Sequence, residues 1–181
     1  MPPPARVLAL AALAGLGCAT SLLAAPPRTG DLAFTVGFGL GAPLSDGDFS
    51  GGGLAAGSQE IHWSSANSLR GSLGFFDLPA EPDSGRGQRS AIYLAGNVSH
   101  NWWRGAVFPY VTGGVGIYAI EERTGPRTDD DKVELGLNGG AGLEFRVHTA
   151  VTLRLEGMIH ALTGDSPQTI ATGTLGLKFY Y

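Results

Sequence analysis

The chain is poor in cysteine, in charge and in long apolar runs, and each shortage excludes something. Its single cysteine, Cys18, lies inside an N-terminal apolar stretch, so the rest of the chain can hold no disulfide and must be stabilised otherwise. Beyond residue 25 no apolar run approaches the roughly 20 residues of a membrane-spanning helix, which excludes a helical membrane protein. Only 15% of residues are charged, the net charge is -4, and the twelve Lys and Arg are scattered. A nucleic-acid-binding surface is therefore not expected.

What is present begins with a leader. Arg6 precedes an apolar stretch from Val7 to Ala19, followed by Ser21 to Ala25 and a proline pair, the pattern of a secretory signal peptide. Cleavage after Ala19 or after Ala25 fits equally, so residues 1–25 are expected to be leader and residues 26–181 one domain. A lipoprotein reading of Cys18 fits poorly, because Gly15 stands where a branched apolar residue belongs.

The 29 glycines and the aromatic content suit strands, and period-two alternation recurs eight times. In the first segment Leu32, Phe34, Val36, Phe38 and Leu40 alternate with small residues. Weaker alternation follows near Leu54 to Trp63, then clearer runs at Ser68–Leu78, from Ile92 to Ser99 and from Tyr110 to Ile117. The sixth, from Glu134 to Val147, is the longest; a seventh runs from Val151 to His160 and an eighth from Thr174 to Tyr181. The connections Pro43–Phe49, Pro79–Arg89, Glu121–Lys132 and Thr163–Pro167 are polar and mostly long, while those at Ser64–Asn67, Asn101–Gly105 and His148–Ala150 are short. Long loops at one end and tight turns at the other predict an all-β, eight-stranded antiparallel up-and-down transmembrane barrel with both termini at the periplasmic end.

Orientation of the faces follows from volume. Phe34, Phe38, Leu137, Leu143, Phe145, Leu155 and Phe179 cannot all fill the inside of one small barrel, so the large residues are expected to face lipid. The lumen then carries Glu60, Arg70, Glu144, Arg146, Arg154, Glu156 and Lys178, nearly balanced in charge, and a paired, plugged polar core is expected. Trp63, Trp102, Trp103 and Tyr181 cluster at the turn end and suggest an aromatic girdle, while Tyr180 shares the inner parity with Lys178.

Pro109, Tyr110, Gly113, Gly114, Gly116 and Tyr118, then Asn138 to Phe145, then Gly176 to Tyr181 resemble the outer-membrane protein beta-barrel family of small porin-like bacterial proteins, which includes adhesion-associated barrels. The resemblance implies that Leu175, Leu177, Phe179 and Tyr181 form a terminal signal read by the barrel assembly machinery. It implies a place in the Gram-negative outer membrane, among lipid and lipopolysaccharide, more than a reaction.

Catalysis is not expected. His100 and His148 sit at turns, and only His160, with Thr163 and Asp165 nearby, approaches the outer end where a lipid-modifying enzyme would act. No cofactor is expected, nor a metal: Asp129, Asp130 and Asp131 with Glu121 and Glu122, and Asp46 with Asp48, lack the alternating ligands of a calcium loop and read as solvated loops. The leading expectation is a monomeric structural or surface-interaction protein acting through its loops, with a narrow channel for small solutes as the alternative. A soluble lipocalin-like carrier would need an apolar cavity, which the polar, glycine-rich parity does not provide.

Overall fold

The computed structural model describes residues 26–44, 50–79, 88–103, 105–124, 127–164 and 168–181. The leader with Cys18, Asp46, Asp48, Asp165 and most of the loop after Pro79 lie outside the described residues.

Eight strands close into one antiparallel barrel in chain order: β1 Leu32–Pro43, β2 Gly52–His62, β3 Asn67–Leu78, β4 Arg89–Asn101, β5 Val107–Thr124, β6 Arg127–His148, β7 Val151–Leu162 and β8 Gln168–Tyr180. Closure comes from β8 against β1, where Phe34 lies opposite Phe179 and Val36 opposite Leu177. The ring is sewn at the end by reciprocal backbone bonds between Leu32 and Tyr181, at 3.0 and 3.3 Å. No edge strand is left, as hydrocarbon requires, since an unpaired N–H or C=O there costs several kcal/mol.

The strands are strongly staggered. Partners followed round the barrel from Phe34 run through Gln59, Gly71, Gly96, Val115, Leu137 and Ala161 to Thr169, whose carbonyl accepts from the amide of Leu44, ten residues beyond Phe34 and just past the end of β1. Such shear tilts the strands and sets the width of the lumen.

The alternation resolves into two faces as expected. Phe38, Leu73, Leu94, Val115, Leu137, Ile159 and Leu175 stand outward and exposed, while the intervening parity is buried. Glycines on the inner parity make room for large neighbours. The ring of Tyr93 occupies the space where a Cβ on Gly74 would stand, and Tyr110 does the same over Gly142, so both glycines are required by close approach.

One expected loop is strand. The composition of Glu121–Lys132 predicts a polar connection, yet β5 and β6 stay paired through it, with Glu121 opposite Asp131 and Thr124 opposite Arg127 after a register shift at Glu122 and Arg123. The hairpin rises well beyond the others: β6 has 22 residues and β5 has 18, against 11 to 13 in the remaining strands. Its polar composition suits a two-stranded ribbon in water, a possibility that composition alone does not separate from a loop.

Candidate functional site: the lumen

The lumen is built in layers. Nearest the periplasm, Lys178 of β8 donates to Glu60 of β2 at 2.7 Å and to Glu144 of β6 at 3.2 Å, and Arg154 of β7 donates to the other oxygen of Glu60 at 2.5 Å. All four side chains are essentially buried. The remaining acceptor positions are taken by neutral donors: Ser68 to Glu60 at 3.3 Å, and Tyr180 and Thr152 to Glu144 at 3.0 and 3.5 Å. Charges this deep are tolerable only when paired and hydrogen-bonded on most of their oxygens.

One step outward, Arg70 of β3 donates to Glu156 of β7 at 2.5 Å and to Thr112 of β5 at 3.3 Å. Tyr110 joins the two levels, since its hydroxyl donates to Glu156 at 2.7 Å and accepts from Nε of Arg154 at 2.7 Å. The Arg154 guanidinium also lies 4.4 Å from the Tyr110 ring centroid, a cation–π geometry. Asn97 of β4 donates to Asn138 of β6 over Gly114 of β5, which lies between them.

Six of the seven charged lumen residues expected from the sequence thus meet in one cluster. Arg146 does not. It sits at the periplasmic mouth with its guanidinium 5.1 Å from the Trp103 ring and 5.7 Å from Phe108.

Trp103 differs in the same way from the girdle expectation. Its ring lies 4.0 Å from that of the fully buried Phe108, tilted by 32°, and so turns toward the lumen, whereas Trp63, Trp102 and Tyr181 are 47%, 40% and 69% exposed. Tyr181 accepts from Gln59 at 2.6 Å, which places a polar pair at the periplasmic rim of the outer face. Leu175, Leu177, Phe179 and Tyr181 all point outward.

Toward the cell exterior the lumen changes character. Tyr93 and Tyr118 stack at 5.7 Å, Tyr93 lies 5.4 Å from His160, and the Tyr118 hydroxyl pairs with Nδ1 of His160 at 2.9 Å, whose Nε2 reaches Thr172 at 3.2 Å. Above this layer Leu54, Phe76, Leu78, Ala91, Ile120, Leu162 and Ile170 form a buried apolar cluster. Arg89 and Gln168, joined at 2.7 Å, lie over it.

A polar lumen throughout was the expectation; half of it is oil. The signal is present in the parity, since Leu54, Phe76, Tyr93, Tyr118 and Ile120 all fall on the inner set, beside a longer outward apolar set that masks it. His160 is buried and bonded on both nitrogens, to the Tyr118 and Thr172 hydroxyls, and Thr163 instead donates to the carbonyl of Leu135 at 2.8 Å. Among the described residues no group of three metal-ligating side chains comes together.

An antiparallel barrel with a lipid-facing apolar surface and a polar cluster inside defines a class: the small outer-membrane barrels. This chain belongs to the outer membrane protein beta-barrel domain family, which matches residues 9–179, and it resides in the bacterial outer membrane. Among solved structures it is similar to Ail, the attachment invasion locus protein of Yersinia pestis, at 14% identity and TM-score 0.61, covering 85% of this chain and 100% of that one. It is similar to Neisserial surface protein A at 10% identity and TM-score 0.63, with 83% and 97% covered, and to OprG of Pseudomonas aeruginosa at 9% and 0.64, with 85% and 97% covered. Ail has also been solved in complex with the heparin analogue sucrose octasulfate. Among curated proteins no sequence matches this chain. At these identities the similarity speaks for the fold alone.

Proposed function

We propose that this protein is a sealed barrel that acts as a scaffold, holding the β5–β6 hairpin and its neighbouring loops at the cell surface for interaction. The observation that carries the reading is the pairing of an occupied lumen with two strands that outrun all others. The ion cluster, the tyrosine layer and the apolar cluster stand in series across the lumen, which supports a sealed interior. The ribbon, by contrast, is paired as far as Thr124 and Arg127, which suits presentation better than transport.

Ten of the sixteen acidic residues fall in the four outer connections with five of the twelve basic ones. That balance disfavours a sulfated polyanion of the kind bound by Ail and favours a cationic or neutral partner. The protein is proposed to be non-catalytic, because His160 is committed to Tyr118 and Thr172. The leader of residues 1–25 is proposed to be removed on export. The outward Leu175, Leu177, Phe179 and Tyr181 are proposed to be read by the barrel assembly machinery, with Trp63, Trp102 and Tyr181 anchoring the periplasmic interface and the folded chain monomeric.

The test is conductance of purified protein in planar bilayers. No unitary conductance is expected; a reproducible step at neutral pH would replace the scaffold with a narrow channel. Deletion of residues 122–130 should leave folded barrel at normal levels, read by heat-modifiable gel migration, while abolishing binding of cells to surfaces.

A further inference from the structure

The seam that closes the barrel, β8 on β1, carries little along its own length to fix its register. Outward it sets Phe34, Val36, Phe38 and Leu40 opposite Phe179, Leu177, Leu175 and Gly173, so a slip of two residues still leaves apolar against apolar. Inward β1 offers Gly37, Gly39 and Gly41 to Gly176, Thr174 and Thr172. The Gly173 carbonyl fills the place of a Cβ on Gly39, and a glycine two residues to either side keeps the same close approach open after a slip. The register shifts of β5–β6 and β6–β7 have no counterpart along this seam. Glycine-rich strands with uniform faces are the ones prone to slippage. A slip has consequences, because it changes the shear and with it the width of the lumen into which the ion cluster and the tyrosine layer fit.

Two contacts reach across β1 and tie β8 to β2. Inside the wall, Nζ of Lys178 donates to Oε2 of Glu60 at 2.7 Å; outside it, Nε2 of Gln59 donates to the Tyr181 hydroxyl at 2.6 Å. Gln59 is the polar member of an outward set that otherwise reads Ala55, Gly57 and Ile61, a place where an amide needs a partner. The two contacts slant in opposite directions. Lys178 lies opposite Thr35, which faces Ser58, so its contact reaches two residues toward the periplasm to find Glu60. Tyr181 pairs with Leu32, which faces Ile61, so its contact reaches two residues toward the exterior to find Gln59.

Opposite slants resist opposite slips. Moving β8 two residues toward the exterior, about 6–7 Å, brings Tyr181 level with Gln59 but sets Lys178 opposite Gly37, which faces Ala56, four residues from Glu60. Moving it toward the periplasm brings Lys178 level with Glu60 and carries Tyr181 away from Gln59 by the same amount. We propose that Glu60–Lys178 and Gln59–Tyr181 form a two-way register clasp on the closing strand, each blocking one direction of slip. Together they hold the barrel at the shear its packed lumen requires. The clasp stands on the seam alone, whether or not the β5–β6 hairpin meets a partner.

The experiment is disulfide trapping in membrane-assembled protein carrying Cys18→Ser. Phe38→Cys is combined with Leu175→Cys to report the native register, with Leu177→Cys to report a slip toward the exterior, and with Gly173→Cys to report a slip toward the periplasm. After copper-phenanthroline oxidation the linked peptides are quantified by mass spectrometry in the heat-modifiable, folded fraction. Without further change only the native pair should link efficiently. Lys178→Met should raise the Leu177→Cys product at least threefold and leave the Gly173→Cys product at background. Tyr181→Phe, and independently Gln59→Leu, should do the reverse. Gln59→Leu leaves the outward residues of β8 intact, which separates the clasp from any part Tyr181 plays in assembly.

If Lys178→Met does not assemble, the two milder variants decide. Background levels of both slipped products in folded Tyr181→Phe and Gln59→Leu overturn the clasp. So does a slipped product in the direction opposite to the one stated, or efficient slipped linkage with both contacts in place.

Discussion

The two halves of this lumen solve the same packing problem with opposite chemistry. The periplasmic half holds a cluster of six charges whose net sum is zero, tied together by Tyr110, Tyr180, Ser68 and Thr152, with Arg146 at its mouth. The extracellular half holds Leu54, Phe76, Leu78, Ile120, Leu162 and Ile170, ordinary core residues that happen to lie inside a membrane protein. The polar half is specific because each side chain has one geometry that satisfies its partners. The apolar half is tolerant, since its contacts are many and individually weak. A barrel lined with charge alone would have to pair every one, and a barrel lined with oil alone would lose the orientation that distinguishes its inside from its lipid-facing side.

The comparison can be broken most sharply at Glu60. Glu60→Ala leaves Arg154 and Lys178 without their shared carboxylate and should cost about 3–5 kcal/mol of folding free energy, measured by urea titration in liposomes. A loss below about 1 kcal/mol would show that the cluster does not hold the barrel. Phe76→Ala in the apolar half should cost about 3 kcal/mol by cavity formation, and should do so without changing the effect of Glu60→Ala when the two are combined.

At the boundary of the two halves, Tyr118→Phe removes the hydroxyl bonded to His160 while keeping the ring, and a loss of about 1 kcal/mol is expected. A change of 3 kcal/mol there would mean that the tyrosine layer belongs energetically to the polar half. The smallest effect is expected at the mouth, where Arg146→Lys keeps the charge but loses the planar stacking on Trp103, costing about 0.5 kcal/mol. Quenching of Trp103 fluorescence by acrylamide should rise in that variant as the mouth loosens.

Much of this architecture is legible from residues alone because lipid makes period-two alternation strict. Leu32 to Leu40 and Leu175 to Tyr181 place their outward sets without ambiguity, and the eight strands stand where the alternation predicts them, to within a few residues at most ends. The hairpin was not legible. Glu121 to Lys132 carries the composition of a loop, and its pairing depends on a neighbour supplying partners for every backbone group, which composition does not encode. Trp103 was misplaced for a related reason: it lies beyond the end of β4, where parity no longer dictates the side of the sheet, whereas Arg146 keeps the inner parity over Phe108.

The sequence by itself determined strand number, the faces and the identity of the charges in the lumen, because a one-residue change of register would turn each face inside out. Only the tertiary structure decided which charge meets which. Glu60 and Arg154 are 94 residues apart, and Glu60 and Lys178 are 118 apart, so their pairing is set by closure and shear and not by any local pattern. The same closure stacks the apolar cluster above the polar one.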